Sequence, residues 1–278
     1  MKTHELIDLG SSFLRNNRIL SSRIDSEIIL SHIMGVSRER FLIDEQNVNL
    51  DRIKKFKSLI LRRSKNEPIA YITKVKEFRS TNFFVDKNSL IPRPETELLI
   101  DPIISIFRRR NLFFLDAGIG TGCIIFSILK ELKHSRAIGI DKCKKTILNA
   151  KKNLIDLKLQ NRAKLLHRTI SDAFRYKFDL IVSNPPYVIN RDIRRLSDDI
   201  KRYEPRSALD GGNDGLDVIR KVIYKSKHIL KLNGILALEI GEGQHTDVIK
   251  MLNNNNFKLK ETIKDYQNNI RCIFSTLL

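Results

Sequence analysis

Four residues, Asn184-Pro185-Pro186-Tyr187, directly follow the apolar run Phe178-Asp179-Leu180-Ile181-Val182-Ser183, and their types meet the demands of one chemistry. An amide or aromatic NH2 is a poor nucleophile because its lone pair is delocalised. Alkylating it requires that both N–H bonds be held and the lone pair aimed. The Asn184 side-chain oxygen and the Pro185 carbonyl can accept those two hydrogens. The adjoining prolines stiffen the loop and remove competing donors, and Tyr187 offers a flat face for a planar group. The same tetrapeptide also reads as an ordinary turn, since Asn-Pro and Pro-Pro dipeptides are turn formers.

A second set of residues suits a nucleotide-bearing cofactor. An apolar run ends in Asp116-Ala117-Gly118-Ile119-Gly120-Thr121-Gly122 and leads into a helical segment, Cys123 to Lys133. Glycines at a helix N-terminus permit positive φ and let a ligand approach the backbone closely. The next run ends in Gly139-Ile140-Asp141, 21 residues after Gly120, where a carboxylate can take both hydroxyls of a ribose. NAD and S-adenosylmethionine both carry adenosine, so Asp141 does not separate them. Asp116 favours the second, because a carboxylate at the head of the loop repels a pyrophosphate and attracts an ammonium or sulfonium. Asp116 also reads as an N-cap or loop-ordering residue.

The elements that must position these residues follow from periodicity. Residues 1–70 read as a small helical domain, with stripes at Leu6, Leu9 and Phe13, at Ile24 and Ile28 ending near Gly35, and at Ile53, Phe56 and Ile60 before Pro68. Residues 71–93 alternate apolar and polar positions around Asp86-Lys87-Asn88, a hairpin-like connector. In residues 94–278 seven strands are predicted, over 112–116, 136–140, 164–169, 178–183, 234–240, 257–263 and 270–277, with helical stretches between them. This is the α/β pattern of a mostly parallel, doubly wound sheet. Only six residues separate the last two runs, so they pair antiparallel at an edge. In such a sheet the switch point lies between the first and fourth strands, so Asn184 is expected beside the glycine loop. The Asn253–Asn256 tract reads as loop.

Composition narrows the partners. The chain has 278 residues, 41% of them hydrophobic, enough for a substantial core. No leader peptide or bilayer-spanning run is read from it. Three cysteines without Cys-x-x-Cys spacing fit reduced thiols in the cytoplasm, and the six histidines show no metal-ligand spacing. The net charge of +19 fits a polyanionic partner such as RNA, DNA or the ribosome. With +7 in residues 1–93 and +12 in residues 94–278 it is spread along the chain, which a generally basic solvated surface explains as well.

Motifs along nearly the whole length resemble one family, the peptide chain release factor glutamine methyltransferases of the HemK/PrmC type. They are Pro68-Ile69-Ala70-Tyr71-Ile72 with Glu77-Phe78, Leu90-Ile91-Pro92-Arg93-Pro94-Glu95-Thr96-Glu97, the 116–122 loop and Asn184–Tyr187. Tyr203 to Leu209, Gly211 to Asp217 and Leu238-Glu239-Ile240-Gly241 continue the match. The Ile-Pro-Arg-Pro-Glu-Thr-Glu string discriminates best, because the related ribosomal-protein glutamine methyltransferases differ there. The resemblance implies a Rossmann-like class I methyltransferase fold. It implies methyl transfer from S-adenosylmethionine to the side-chain nitrogen of the glutamine in a release factor's Gly-Gly-Gln motif, with possible proximity to the ribosome. It assigns Gly118, Ile119, Gly120, Thr121, Gly122 and Asp141 to the cofactor, Asn184, Pro185, Pro186 and Tyr187 to the glutamine, and Asp172, Ala173 and Phe174 to an adenine contact. Three features depart from the family pattern: Ala173 replaces a bulky aromatic, Lys74 a glycine, and Gln267-Asn268-Asn269 a glycine-containing turn.

Glu204 and Arg206, in the loop expected to close over the site, are candidates for shaping the substrate pocket or for a structural ion pair. Two other readings of the chain stay open at this level. One is an amino-methyltransferase acting on adenine or cytosine in nucleic acid, which shares the Asn-Pro-Pro-Tyr loop. The other is a non-catalytic ribosome-binding protein that keeps a relic of the fold.

Overall fold

The computed structural model describes residues 1–172 and 174–278. It contains two compact units, Met1–Val75 with Ser197–Tyr203, and Lys76–Leu196 with Glu204–Leu278.

The first unit is helical: α1 (Thr3–Asn16), α2 (Ser22–Met34), α3 (Arg40–Ile43), α4 (Leu50–Arg63) and α5 (Ile69–Thr73). The predicted stripes of the first two helices are displaced. Leu9 and Phe13 are each 42% exposed and Ile24 is exposed, whereas α1 buries Leu6, Ile7, Gly10 and Leu14. The reason is a close, partly polar contact between α1, α2 and α4. A Cβ on Gly10 would stand 2.6 Å from both Phe56 and Ser26, and the buried Ser26 hydroxyl donates to the Ile7 carbonyl at 2.8 Å. Asp25 is likewise buried and pairs with Arg63 at 2.7 Å. Small and polar residues therefore occupy the seam where the sequence shows apolar ones elsewhere. The α4 stripe lies where expected, with Phe56 and Ile60 buried.

The second unit opens with a two-stranded hairpin, β1 (Val75–Phe78, its first residue in the helical unit) and β2 (Thr81–Phe84). Its turn is Arg79-Ser80, both at positive φ, and not Asp86-Lys87-Asn88. The latter forms a separate turn in which Asp86 accepts from the Asn88 amide at 2.8 Å. A left-handed pair without glycine or asparagine leaves no sequence signal. After a 3-10 turn, Pro94–Leu99, come α6 (Ile100–Phe107), β3 (Phe113–Ala117), α7 (Cys123–Glu131), β4 (Arg136–Asp141), α8 (Lys144–Asp156), β5 (Ala163–His167) and β6 (Phe178–Ser183). Then follow α9 (Asp198–Tyr203, within the helical unit), α10 (Asp217–Ile229), β7 (Leu230–Glu239), α11 (His245–Asn254), β8 (Phe257–Lys264) and β9 (Ile270–Leu277).

The seven-stranded sheet runs β5-β4-β3-β6-β7-β9-β8, parallel except for β9, which is antiparallel to both neighbours. Successive residues of β3 point to opposite faces and into two cores. Phe114 packs with α6, α7 and α8, while Leu115 packs with α10 and α11. The chain reverses direction of winding between β3 and β6, which are hydrogen-bonded neighbours, so a cleft opens at their carboxyl ends. Asn253 and Asn254 turn out to close α11, and only Asn255 and Asn256 lie beyond it.

Candidate active site

The Ser183 hydroxyl donates to the Ala117 carbonyl at 2.6 Å and ties the ends of β6 and β3 together. The two loops that begin there, Gly118–Gly122 and Asn184–Tyr187, are therefore neighbours by construction. Both contribute to one cleft of about 300 Å³, whose walls are mostly apolar.

The glycine loop is folded by its own backbone. Gly118 and Ile119 amides donate to the Ile140 carbonyl at 2.9 and 2.8 Å, and the Gly122 amide returns to Ile119 at 2.8 Å. Asn153 supports it from α8, donating to the Thr121 carbonyl at 2.9 Å. Gly120 has φ +56 and an added Cβ there would meet no protein atom, so that position faces open space. Asp116 has no exposed surface. Its Oδ2 accepts from the Ile125 amide in the first turn of α7 at 3.2 Å, while Oδ1 is buried with no partner among the described residues. Burial pushes its carboxyl up to about 7. Asp141 sits at the mouth of the cleft, its two oxygens accepting from the amides of Cys143 at 2.8 Å and Gly120 at 3.3 Å. Desolvation raises its carboxyl above the usual range.

These features fit an adenosine-bearing cation with a free ammonium. The backbone leaves room at Gly120, an orphaned carboxylate oxygen lies beneath the loop, and a second carboxylate stands at the next strand end, where ribose hydroxyls would fall.

On the opposite wall, the Asn184 amide group donates to the Thr96 hydroxyl at 3.0 Å, and Thr96 donates to Glu239 Oε2 at 2.6 Å. The Tyr187 hydroxyl donates to the other oxygen, Glu239 Oε1, at 3.2 Å. Glu239 is fully buried at the end of β7, and desolvation pushes it up to about 7 against the lowering effect of the two hydroxyls. Nothing among the described residues donates to Asn184 Oδ1 or to the Pro185 carbonyl, which leaves both as acceptors. Gln244 fixes the loop's far end, donating to the carbonyls of Tyr187 at 3.0 Å and Gly215 at 3.2 Å.

The structure thus brings Gly118–Thr121, Asp141, Asn184, Pro185 and Pro186 to one cleft, whereas Asp116 lies buried behind the loop and Gly122 faces the Phe126 ring, neither lining it. Tyr187 does not line it. Its ring packs at Gly241, where a Cβ would come within 3.1 Å, and its hydroxyl faces Glu239. Phe174 is also outside it, set edge-on against Phe178 at 5.9 Å between centroids, because the loop turns that ring into the sheet core. Ile170 lines the cleft in its place. Asp172 caps its own loop through the Thr169 amide at 2.9 Å, and Ala173 lies outside the described residues. Glu204 and Arg206 do not pair with each other. Glu204 is buried against Arg93 and accepts from the Ile91 amide at 3.1 Å, whereas Arg206 reaches Asp210 at 3.3 Å and Asn190 at 3.0 Å.

Sequence reasoning assigned no role to Thr96, Ser183, Glu239 or Gln244. A carboxylate ending the strand beside 178–183 was the signal available for Glu239.

Comparison with known proteins adds independent findings. Residues 5–73 match the PrmC N-terminal domain and residues 94–200 the methyltransferase small domain. A solved methyltransferase from Pyrococcus furiosus shares the fold, with a TM-score of 0.54 and 17% identity over 79% of this chain and 96% of its own. The release factor glutamine methyltransferase of Clostridium acetobutylicum is 38% identical over 250 residues, 87% of each chain. That of Fusobacterium nucleatum is 33% identical over 278 residues, covering 98% of this chain and 78% of its own. Likeness at this level, over most of the length of this chain and of both relatives, makes the chain a member of the release factor glutamine methyltransferase family.

Proposed function

We propose that the protein transfers a methyl group from S-adenosylmethionine to the side-chain amide nitrogen of the glutamine in the Gly-Gly-Gln motif of a peptide chain release factor, in the cytoplasm. The observation that carries this reading is the pair of unpartnered acceptors, Asn184 Oδ1 and the Pro185 carbonyl, in the same cleft as the glycine loop. The names of the relatives support the substrate. In this reading the 94–278 region carries the chemistry, the helical 1–70 region docks the protein substrate, and 71–93 connects them.

When bound, S-adenosylmethionine supplies an electrophilic methyl group on a sulfonium. Gly118–Thr121 would hold it along the backbone and Asp141 at the ribose, while Asp116, buried behind the loop, would act on its ammonium or sulfonium only as a nearby charge. Asn184 and Pro185 take one amide hydrogen each, which turns the nitrogen lone pair toward the methyl group. As positive charge develops on that nitrogen, both acceptors hold it more strongly than they hold the neutral amide. No general base is required before the transition state, and the released proton can pass to solvent.

Removing one of only two acceptors should cost heavily. Asn184→Ala is expected to lower the methyl-transfer rate by on the order of a hundredfold or more, with cofactor affinity nearly intact. The assay uses labelled S-adenosylmethionine with an intact release factor, the same factor lacking the motif glutamine, and bulk RNA. Label on the intact factor alone supports the proposal. Label on RNA alone would replace it with the nucleic-acid reading and make the basic surface a substrate track.

A further inference from the structure

The chain of hydrogen bonds behind Asn184 has a direction, and the direction has a chemical consequence. A hydroxyl owns one proton. At Thr96 that proton goes to Glu239 Oε2, at 2.6 Å, and the Tyr187 hydroxyl donates to Oε1, so both oxygens of the carboxyl act as acceptors, the arrangement of its ionised form. The Thr96 oxygen then has only lone pairs to offer, and the group facing it at 3.0 Å must be a donor, the Asn184 NH2. The Asn184 oxygen is thereby turned toward the cleft. With the amide inverted, the cleft would meet a substrate NH2 with donors, and neither N–H bond would be held at that position.

The surroundings are built to keep this order. Glu239 has no exposed surface and Thr96 is 2% exposed, so water does not substitute for either partner. The second carboxylate oxygen is occupied by the Tyr187 hydroxyl of the same loop, so Glu239 holds Asn184–Tyr187 at both ends. Thr96 arrives from the Pro94–Leu99 turn and Glu239 from the end of β7, two elements that share no local sequence with the loop they orient.

We propose that Glu239, acting through Thr96, is a positioning residue that sets the orientation of the Asn184 amide, so that the cleft presents an acceptor to an NH2-bearing side chain. Thr96 borders the cleft and Glu239 does not; in this assignment both act through Asn184, and their catalytic relevance rests on the glutamine methyl transfer proposed above.

The test uses the full-length protein and two substitutions at Thr96. Thr96→Val keeps the shape and removes the hydroxyl, whereas Thr96→Ser keeps the hydroxyl. Thr96→Val is expected to lower kcat for release factor by on the order of tenfold, the worth of one hydrogen bond, with KM and cofactor Kd within about twofold, and Thr96→Ser to restore the rate. A Thr96→Val enzyme with wild-type kcat would overturn the proposal, as would a Thr96→Ser enzyme equally slow, which would indicate packing alone. A second readout is independent of turnover: hydrogen exchange of the Asn184 side-chain NH2 by 15N NMR. Slow exchange in the wild type and Thr96→Ser with fast exchange in Thr96→Val supports the assignment, and equal exchange in all three refutes it. A wild type that leaves release factor unlabelled would strike the proposed function, and the exchange data would still decide the orientation.

Discussion

Asp116 and Glu239 are carboxylates with no exposed surface, and burial pushes each up to about 7. They differ in what answers that burial. Glu239 is satisfied by two hydroxyls, while Asp116 keeps one oxygen without a partner. For an acid raised in the folded state, the unfolded chain ionises first as pH rises. Stability is then highest below the ordinary carboxyl range near 4, falls between there and about 7, and levels off above. Asp116→Asn removes one such cost, so its stability advantage over the wild type should grow by roughly 2 kcal/mol between pH 5 and pH 8, measured by urea unfolding without cofactor. A constant difference would show that Asp116 is ionised at both values. That Asn184 and Asp141 border one cleft was legible in the sequence, because each stands in a loop directly after a strand. Thr96 and Glu239 were not, since their roles depend on partners 88 and 143 residues away along the chain.

Among elements, the glycine loop separates two duties that its sequence presents as one motif. Gly120 has φ +56 and faces the cleft, whereas Gly122, at φ +85, would place a Cβ 2.2 Å from the ring of the fully buried Phe126. Gly120→Ala should therefore cost about 1 kcal/mol in stability, from the left-handed backbone, and abolish most cofactor affinity. Gly122→Ala adds overpacking against the core and should cost on the order of 3 kcal/mol. Titration calorimetry and thermal unfolding of both variants separate the two, and equal stability losses would contradict the assignment. The strands were readable to within a few residues because uninterrupted apolar runs mark a sheet covered on both faces. The first two helices were not, since their seam is lined by Gly10, Ser26 and Asp25. The family departures at Lys74 and Asn268 also gain a physical meaning. Both stand at positive φ, 63 and 67, the conformation for which glycine is the unstrained residue.

At the scale of the whole molecule, the fold class was legible because strand and helix patterns alternate over a long stretch. The closure of the hairpin at Arg79-Ser80 was not, because neither residue is among the Asn, Asp and Gly that signal two consecutive left-handed positions. None of the described helices is long and apolar enough to cross a membrane. The three thiols, distant in sequence, divide sharply by environment. Cys123 and Cys272 are buried, and desolvation pushes the Cys123 thiol up to about 12 and that of Cys272 further still. Cys143 is half-buried at the start of α8, lines the cleft beside Asp141, and is held below the ordinary thiol range by hydrogen bonding at Thr146. Cys123 also lines the cleft but is buried with its thiol raised, so Cys143 is the most addressable of the three thiols, next to the proposed ribose position. A maleimide or a fluorinated alkylating tag should react there first, and its rate should fall at least fivefold with saturating S-adenosylmethionine. If occupancy leaves the rate unchanged, the cofactor lies elsewhere. If it slows, Cys143 becomes a built-in gauge of cofactor loading that needs no substrate and no engineered label site.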